Sequence, residues 1–175
     1  MNIKHILFLL PSLLFISSGL PKAIQKKVDS EIKETFHIET FEFSGVSIPL
    51  EQRKDLPSKF ENDNLFEIKS KNSLLGYAYV SKAPSKTDNF DYLVLLDPEL
   101  IIIKTKVLVY REDYGGEIGS KRWLKQFIGK TQHDDLRYGD NIVAISGATI
   151  SVKSFTDAIN NLLISLKKLH SKNIL

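Results

Sequence analysis

Seven apolar side chains, Val152, Phe155, Ile159, Leu162, Leu163, Leu166 and Leu169, recur at i, i+3, i+4 and i+7 spacing near the C-terminus. That stripe predicts a helix with one dry face, and such a face is stable only against another apolar surface. The chain supplies the surface upstream. "LFEIKSKNSLLGYAYVSKA" reads as a hairpin turning near Lys71, Asn72 and Ser73, with alternation on the return strand. "FDYLVLLDPELIIIKTKVLVY" reads as a second hairpin, turning at Asp97, Pro98 and Glu99. Its strands are rich in Val, Ile, Leu and Tyr, which predicts places in the middle of a sheet. Consecutive hairpins on short turns imply antiparallel pairing. The expected fold is α+β: an antiparallel sheet of hairpins with helices packed against it and a long C-terminal amphipathic helix.

The flanking segments fit around that centre. In "PKAIQKKVDSEIKET" the four-residue spacing of Ile24, Val28 and Ile32 predicts a short amphipathic helix with a solvated Lys/Glu face. Phe36, Ile38, Phe41 and Phe43 suggest a strand with a break near Glu39 and Thr40. Residues 44–64 are polar, hold two prolines and read as connecting structure. After the hairpins, Gly115, Gly116 and Gly119 mark an irregular loop, and Trp123, Leu124, Phe127 and Ile128 stand at helical spacing before Gly129. The expected organisation is a signal peptide over 1–20, an N-terminal helix, strand and connector over 21–64, and the main domain over 65–175.

Composition narrows the classes of function. With 175 residues the chain suffices for one domain with a real core. The formal charge of +3 is mild, and no basic stripe interleaved with aromatics points to nucleic acid. Cysteine is absent, which excludes disulfides, thiolate metal sites, thiol catalysis and a lipoprotein attachment cysteine. His37, His133 and His170 are far apart and have no Glu at metal spacing, which argues against a zinc site or a His-based triad. The start, a short basic stretch followed by "ILFLLPSLLFISSGL", reads as an export signal. Pro11 interrupts the run, which is shorter than the roughly 20 apolar residues a spanning helix needs. An uncleaved anchor is the alternative.

Four small residues, Ser146, Gly147, Ala148 and Thr149, stand just before the striped helix. A helix start offers unpaired N–H groups and a positive dipole end, a natural seat for phosphate. Gly147 permits a tight turn and close approach of an anion, Ala148 adds little bulk, and Ser146 and Thr149 bring hydroxyls. Taken alone, the same four residues read more readily as ordinary helix capping than as a phosphate seat. Ser146 lacks the Gly-x-Ser-x-Gly elbow of a hydrolase nucleophile. Trp123, on an apolar helix face, reads as core, and the Asp134–Asp135 pair as solvated surface.

Their place in the chain adds a resemblance. The strand "GYAYVSKA", the hairpin leading to the loop "EDYGGEIG" with "WLKQFIGK" after it, and "AISGATISVKSFTDAINN" together resemble the FMN-binding domain family. That family includes the covalent-flavin subunits of the sodium-pumping NADH:quinone oxidoreductase and of Rnf-type complexes. The likeness runs from about Leu65 to Leu169, and its last motif is the most specific part. It implies an electron carrier working with a redox partner, with FMN joined by a flavin transferase through its phosphate to the last Thr of the motif, here Thr149. Ser146, Gly147 and Ala148 would then shape the phosphate seat. Glu112, Asp113, Tyr114, Gly115 and Gly116 match the loop that approaches the flavin. Tyr114 could stack on the isoalloxazine ring or fold onto the surface. The resemblance also implies a membrane-bound redox protein or quinone reductase as partner, and a place outside the cytoplasm, periplasmic or membrane-associated. Two places differ from the family pattern. Val143 stands where relatives usually carry Asp, with Asp140 three residues further upstream, and Glu112-Asp113-Tyr114-Gly115 replaces a frequent Glu-Thr-Pro-Gly. The rival reading is an exported binding or assembly module that keeps the fold without flavin.

Overall fold

The computed structural model describes residues 19–61 and 64–175, so most of the expected export segment lies outside the described residues. Five strands form one antiparallel sheet in the order β1-β2-β3-β4-β5: Glu42–Gly45, Leu65–Ser70, Ser73–Pro84, Asn89–Leu96 and Ile102–Val109. The first hairpin turns at Lys71 and Asn72, both with positive φ (50° and 64°), the geometry of a tight two-residue turn.

The sheet is covered on both faces. Along β4, Phe90, Tyr92, Val94 and Leu96 point to one side, and Leu93 and Leu95 to the other. The first side receives α4 (Thr149–Ser171), whose seven stripe residues are all fully buried. The second receives α1 (Lys22–Phe36) through Ile24, Val28 and Ile32. The helical and strand periodicities therefore meet as three layers.

Four local expectations change. The strand sought over 36–43 is only Glu42–Gly45, because α1 runs on to Phe36 and ends at His37, which is left-handed (φ 54°). Phe36, Ile38, Phe41 and Phe43 still pack on the α1 face of the core. The second hairpin is not wholly central, since β5 is an edge strand. Its apolar run reflects cover on two faces, and its start is paired outward through Gly129 N to Ile102 O and Ile102 N to Lys130 O. The connector holds a short helix, α2 (Leu50–Arg53), and buries Ile48 and Phe60. The helix around Trp123 is short: α3 (Lys121–Leu124) tightens into a 3₁₀ turn over Lys125–Phe127, leaving Ile128 exposed.

Candidate functional site

The site is built where α4 begins. Its N-cap position is Ala148, and no side chain caps it. Ser146 and Thr149 are the residue types that cap helices, yet neither does so here. The N–H groups of the first turn, at Thr149, Ile150 and Ser151, precede the first helical bond, from Val152 N to Ala148 O. Thr149, Ser146 and Gly147 are exposed and Ala148 is buried. Gly147 takes φ 80°, which favours glycine, and nothing lies within 4 Å of where a Cβ would sit. The arrangement is an open helix start with a free hydroxyl at its first residue.

The loop that the sequence singled out comes to the same place. Gly115 lies flush against the motif: a Cβ there would stand 2.9 Å from the Ala148 Cβ and 3.1 Å from the Tyr110 hydroxyl, and its φ of 80° also requires glycine. The Tyr110 and Ser151 hydroxyls are 3.0 Å apart, so the strand end before the loop also touches the first turn of α4. Asp113 is exposed, and Tyr114 presents 84% of its surface. Gly116 opens the 3₁₀ turn Gly116–Gly119, which buries Ile118 and anchors the loop's far end.

Glu112 is engaged differently. Its carboxylate accepts from the Ser85 hydroxyl at 2.6 Å, Thr87 N at 2.7 Å, the Thr87 hydroxyl at 2.9 Å and Asp88 N at 3.3 Å. The Ser85 hydroxyl and the Thr87 N–H are foremost in holding its pKa at about 2, against an ordinary 4.5. The carboxylate is thus turned to the β3–β4 tip. Ser154, in the second turn of α4, donates to Pro84 O at the same tip.

Upstream of the motif a groove of about 540 Å³ runs between α3 and residues 143–146. Trp123, Val143, Ala144 and Ile145 give it an apolar lining, and Arg122 and Lys125 are the cations that line it. Trp123 is core, as expected, but its indole N–H also donates to Val143 O at 2.7 Å. Gln126 accepts from Val143 N at 2.9 Å and donates to Trp123 O at 3.0 Å. Both backbone groups of Val143 are therefore held while its side chain stays 66% exposed. Asp140, the nearest upstream acid, faces away into an ion pair with Arg137 at 3.3 Å. Gln126, Tyr110, Ser151 and the Ser85–Thr87 donors carried no sequence signal, because a single polar residue announces nothing until its partner is known.

The donor set suits a phosphate ester of an aromatic ligand: backbone N–H groups and hydroxyls at the helix start, with an apolar groove nearby that Arg122, Lys125 and Glu117 also line. Fold and site together define an α+β domain suited to seating a phosphate-bearing cofactor. Residues 86–164, a segment that holds both the loop and the motif, match the FMN-binding domain family. In fold it is similar to NqrC of Shewanella oneidensis, at 14% identity and a TM-score of 0.57, over 85% of this chain and 96% of that one. No curated protein matches the sequence.

Proposed function

We propose that this protein is an exported electron-transfer flavoprotein that carries FMN esterified through its phosphate to Thr149. The observation that carries the reading is the uncapped start of α4, where the exposed Thr149 hydroxyl makes no bond, no side chain caps the first turn, and a groove reaches the neighbouring Ser146. A phosphate there takes the place of the missing cap. Thr149 Oγ1 bonds to the FMN phosphorus as the bond to AMP in FAD breaks, and the hydroxyl proton is released. A flavin transferase carries out that exchange. Bound FMN supplies one- and two-electron chemistry. The chain's own part is to hold the phosphate on the first turn of α4, wall one side with the Gly115 loop, and offer the apolar groove upstream of the motif.

The basic-apolar start supports export, to the periplasm or the outer side of the inner membrane. A covalent tether suits that setting, because a lost cofactor is not replaced outside the cytoplasm. Electrons then pass between a membrane-bound redox protein or quinone reductase and an acceptor, so the protein works with a partner and not as a stand-alone catalyst. Full-length chain co-expressed with the transferase is expected to show the mass of FMN on the peptide holding Thr149. An unmodified peptide would refute the covalent reading. Val143, exposed where relatives usually carry Asp, favours a second reading, an exported module that keeps the fold without flavin. A colourless product from the same co-expression would support it.

A further inference from the structure

Three stretches far apart in sequence are laced around the start of α4: the β3–β4 tip at 84–88, the strand end and loop at 110–115, and residues 148–154. Glu112 bonds the loop to the tip, Gly115 lies on Ala148, Tyr110 meets Ser151, and Ser154 returns to Pro84. The contacts close into a ring, and Glu112 is the member that makes the most bonds. We propose that Glu112 is a positioning residue for the cofactor: its carboxylate clasps the β3–β4 tip and so sets the loop carrying Tyr114 and Gly115 against the phosphate seat, without touching flavin.

The geometry argues for this in two ways. All four bonds of the carboxylate run to residues 85–88, and three of them share one oxygen. A group so placed has no remaining reason to turn toward a ligand on the far side of the loop. Arg111, one residue earlier, is tied to β4 through Asn89 O and Asp91, but beyond Glu112 the loop has little else to hold it. Asp113 and Tyr114 are exposed, and only Gly115 meets the motif before the 3₁₀ turn restores the chain to the core. Fixing residue 112 therefore sets the direction in which residues 113–115 leave the sheet. The single-carbon separation of Gly115 from Ala148 leaves no slack for a loop that departs at another angle.

This inference rests on the flavin reading for its consequence but not for its geometry, and the test separates the two. Full-length chain is prepared as wild type, Glu112→Ala, Glu112→Gln and the double variant Ser85→Ala/Thr87→Val. Each is examined by amide hydrogen exchange before loading, and by visible circular dichroism after co-expression with the transferase. Glu112→Ala is expected to speed exchange about tenfold at residues 113–116 and 148–151 and to leave α1 unchanged, and the double variant, which keeps the Thr87 and Asp88 N–H donors, to speed it at the same residues by less. Both should alter the flavin dichroism in the same sense, the double variant by less, and Glu112→Gln, which keeps one carbonyl acceptor, should restore part of each signal. A flavin signal that changes in Glu112→Ala without faster exchange at 113–116 and 148–151 would mean direct contact with flavin and would overturn the proposal. Unchanged exchange at the site in both would also overturn it. If Glu112→Ala fails to fold, Glu112→Gln and the double variant carry the same comparison. Wild type that takes up no FMN sinks the flavin reading, while the exchange arm still decides whether Glu112 sets the loop.

Discussion

Two helix starts in this protein use the same kind of residue for opposite purposes. At α3, Ser120 caps: its hydroxyl accepts from Trp123 N at 3.3 Å, and the helix begins beneath it. At α4, Ser146 and Thr149 flank the start, yet Ala148 occupies the cap position and the side chains stand off in solvent. The short helix, only Lys121–Leu124, keeps its cap; the long one, Thr149–Ser171, goes without. Magnitude explains how this is possible. A cap contributes about 1 kcal/mol, whereas each fully buried Leu, Ile, Val or Phe contributes roughly 1.5–3 kcal/mol. With seven such residues fully buried, α4 is held by its stripe and its first turn is left available.

The largest test of that contrast strikes the stripe. Phe155 is fully buried, with ring centroids of Tyr92, Phe127, Trp123 and Phe90 at 5.3, 5.2, 5.6 and 6.0 Å. Phe155→Ala leaves a cavity among four aromatic rings and is expected to cost about 3–5 kcal/mol, measured by urea unfolding. A loss under about 1 kcal/mol would mean that packing does not anchor α4, and the argument for an uncapped start would fall with it.

The stripe was readable because its cause is local: seven positions on one helix specify one face, whatever the partner. The Lys71–Asn72 turn was readable for the same reason. Edge and centre were not, since β5 carries an apolar run that cover on both faces produces as readily as a central position does. At the site, the motif and the loop were each visible, and the structure brings them together at Gly115 and Ala148. What Glu112 binds was hidden, because its donors lie some 25 residues upstream and look like any polar turn. The uncapped state of Thr149 was hidden too. A Thr at a helix start is compatible with either role, and only the backbone angles place it at the cap or, as here, one residue inside it.

A smaller effect is expected at the start that is capped. Ser120 shares Trp123 N with its own carbonyl oxygen, at 3.3 and 3.1 Å, so its hydroxyl does less than a full cap. Ser120→Ala should therefore cost about 0.5 kcal/mol, the low end of the capping range, by the same urea measurement. A cost near 2 kcal/mol, the top of that range, would show that α3 depends on its cap far more than this geometry implies.

The smallest change in stability belongs to Thr149→Ala, and there the contrast becomes sharpest. Its hydroxyl makes no capping bond and its side chain is exposed, so unfolding should shift by no more than about 0.5 kcal/mol, the level of an ordinary surface substitution. Incorporation of FMN on co-expression with the transferase should nonetheless fall to nothing, because the attacking oxygen is gone. Thr149→Ser keeps that oxygen and should keep the product. A drop of about 1 kcal/mol or more in Thr149→Ala would give the hydroxyl a structural duty that the uncapped geometry denies it. Stability held and flavin lost is the pairing that a reserved helix start requires and that no capping role would produce.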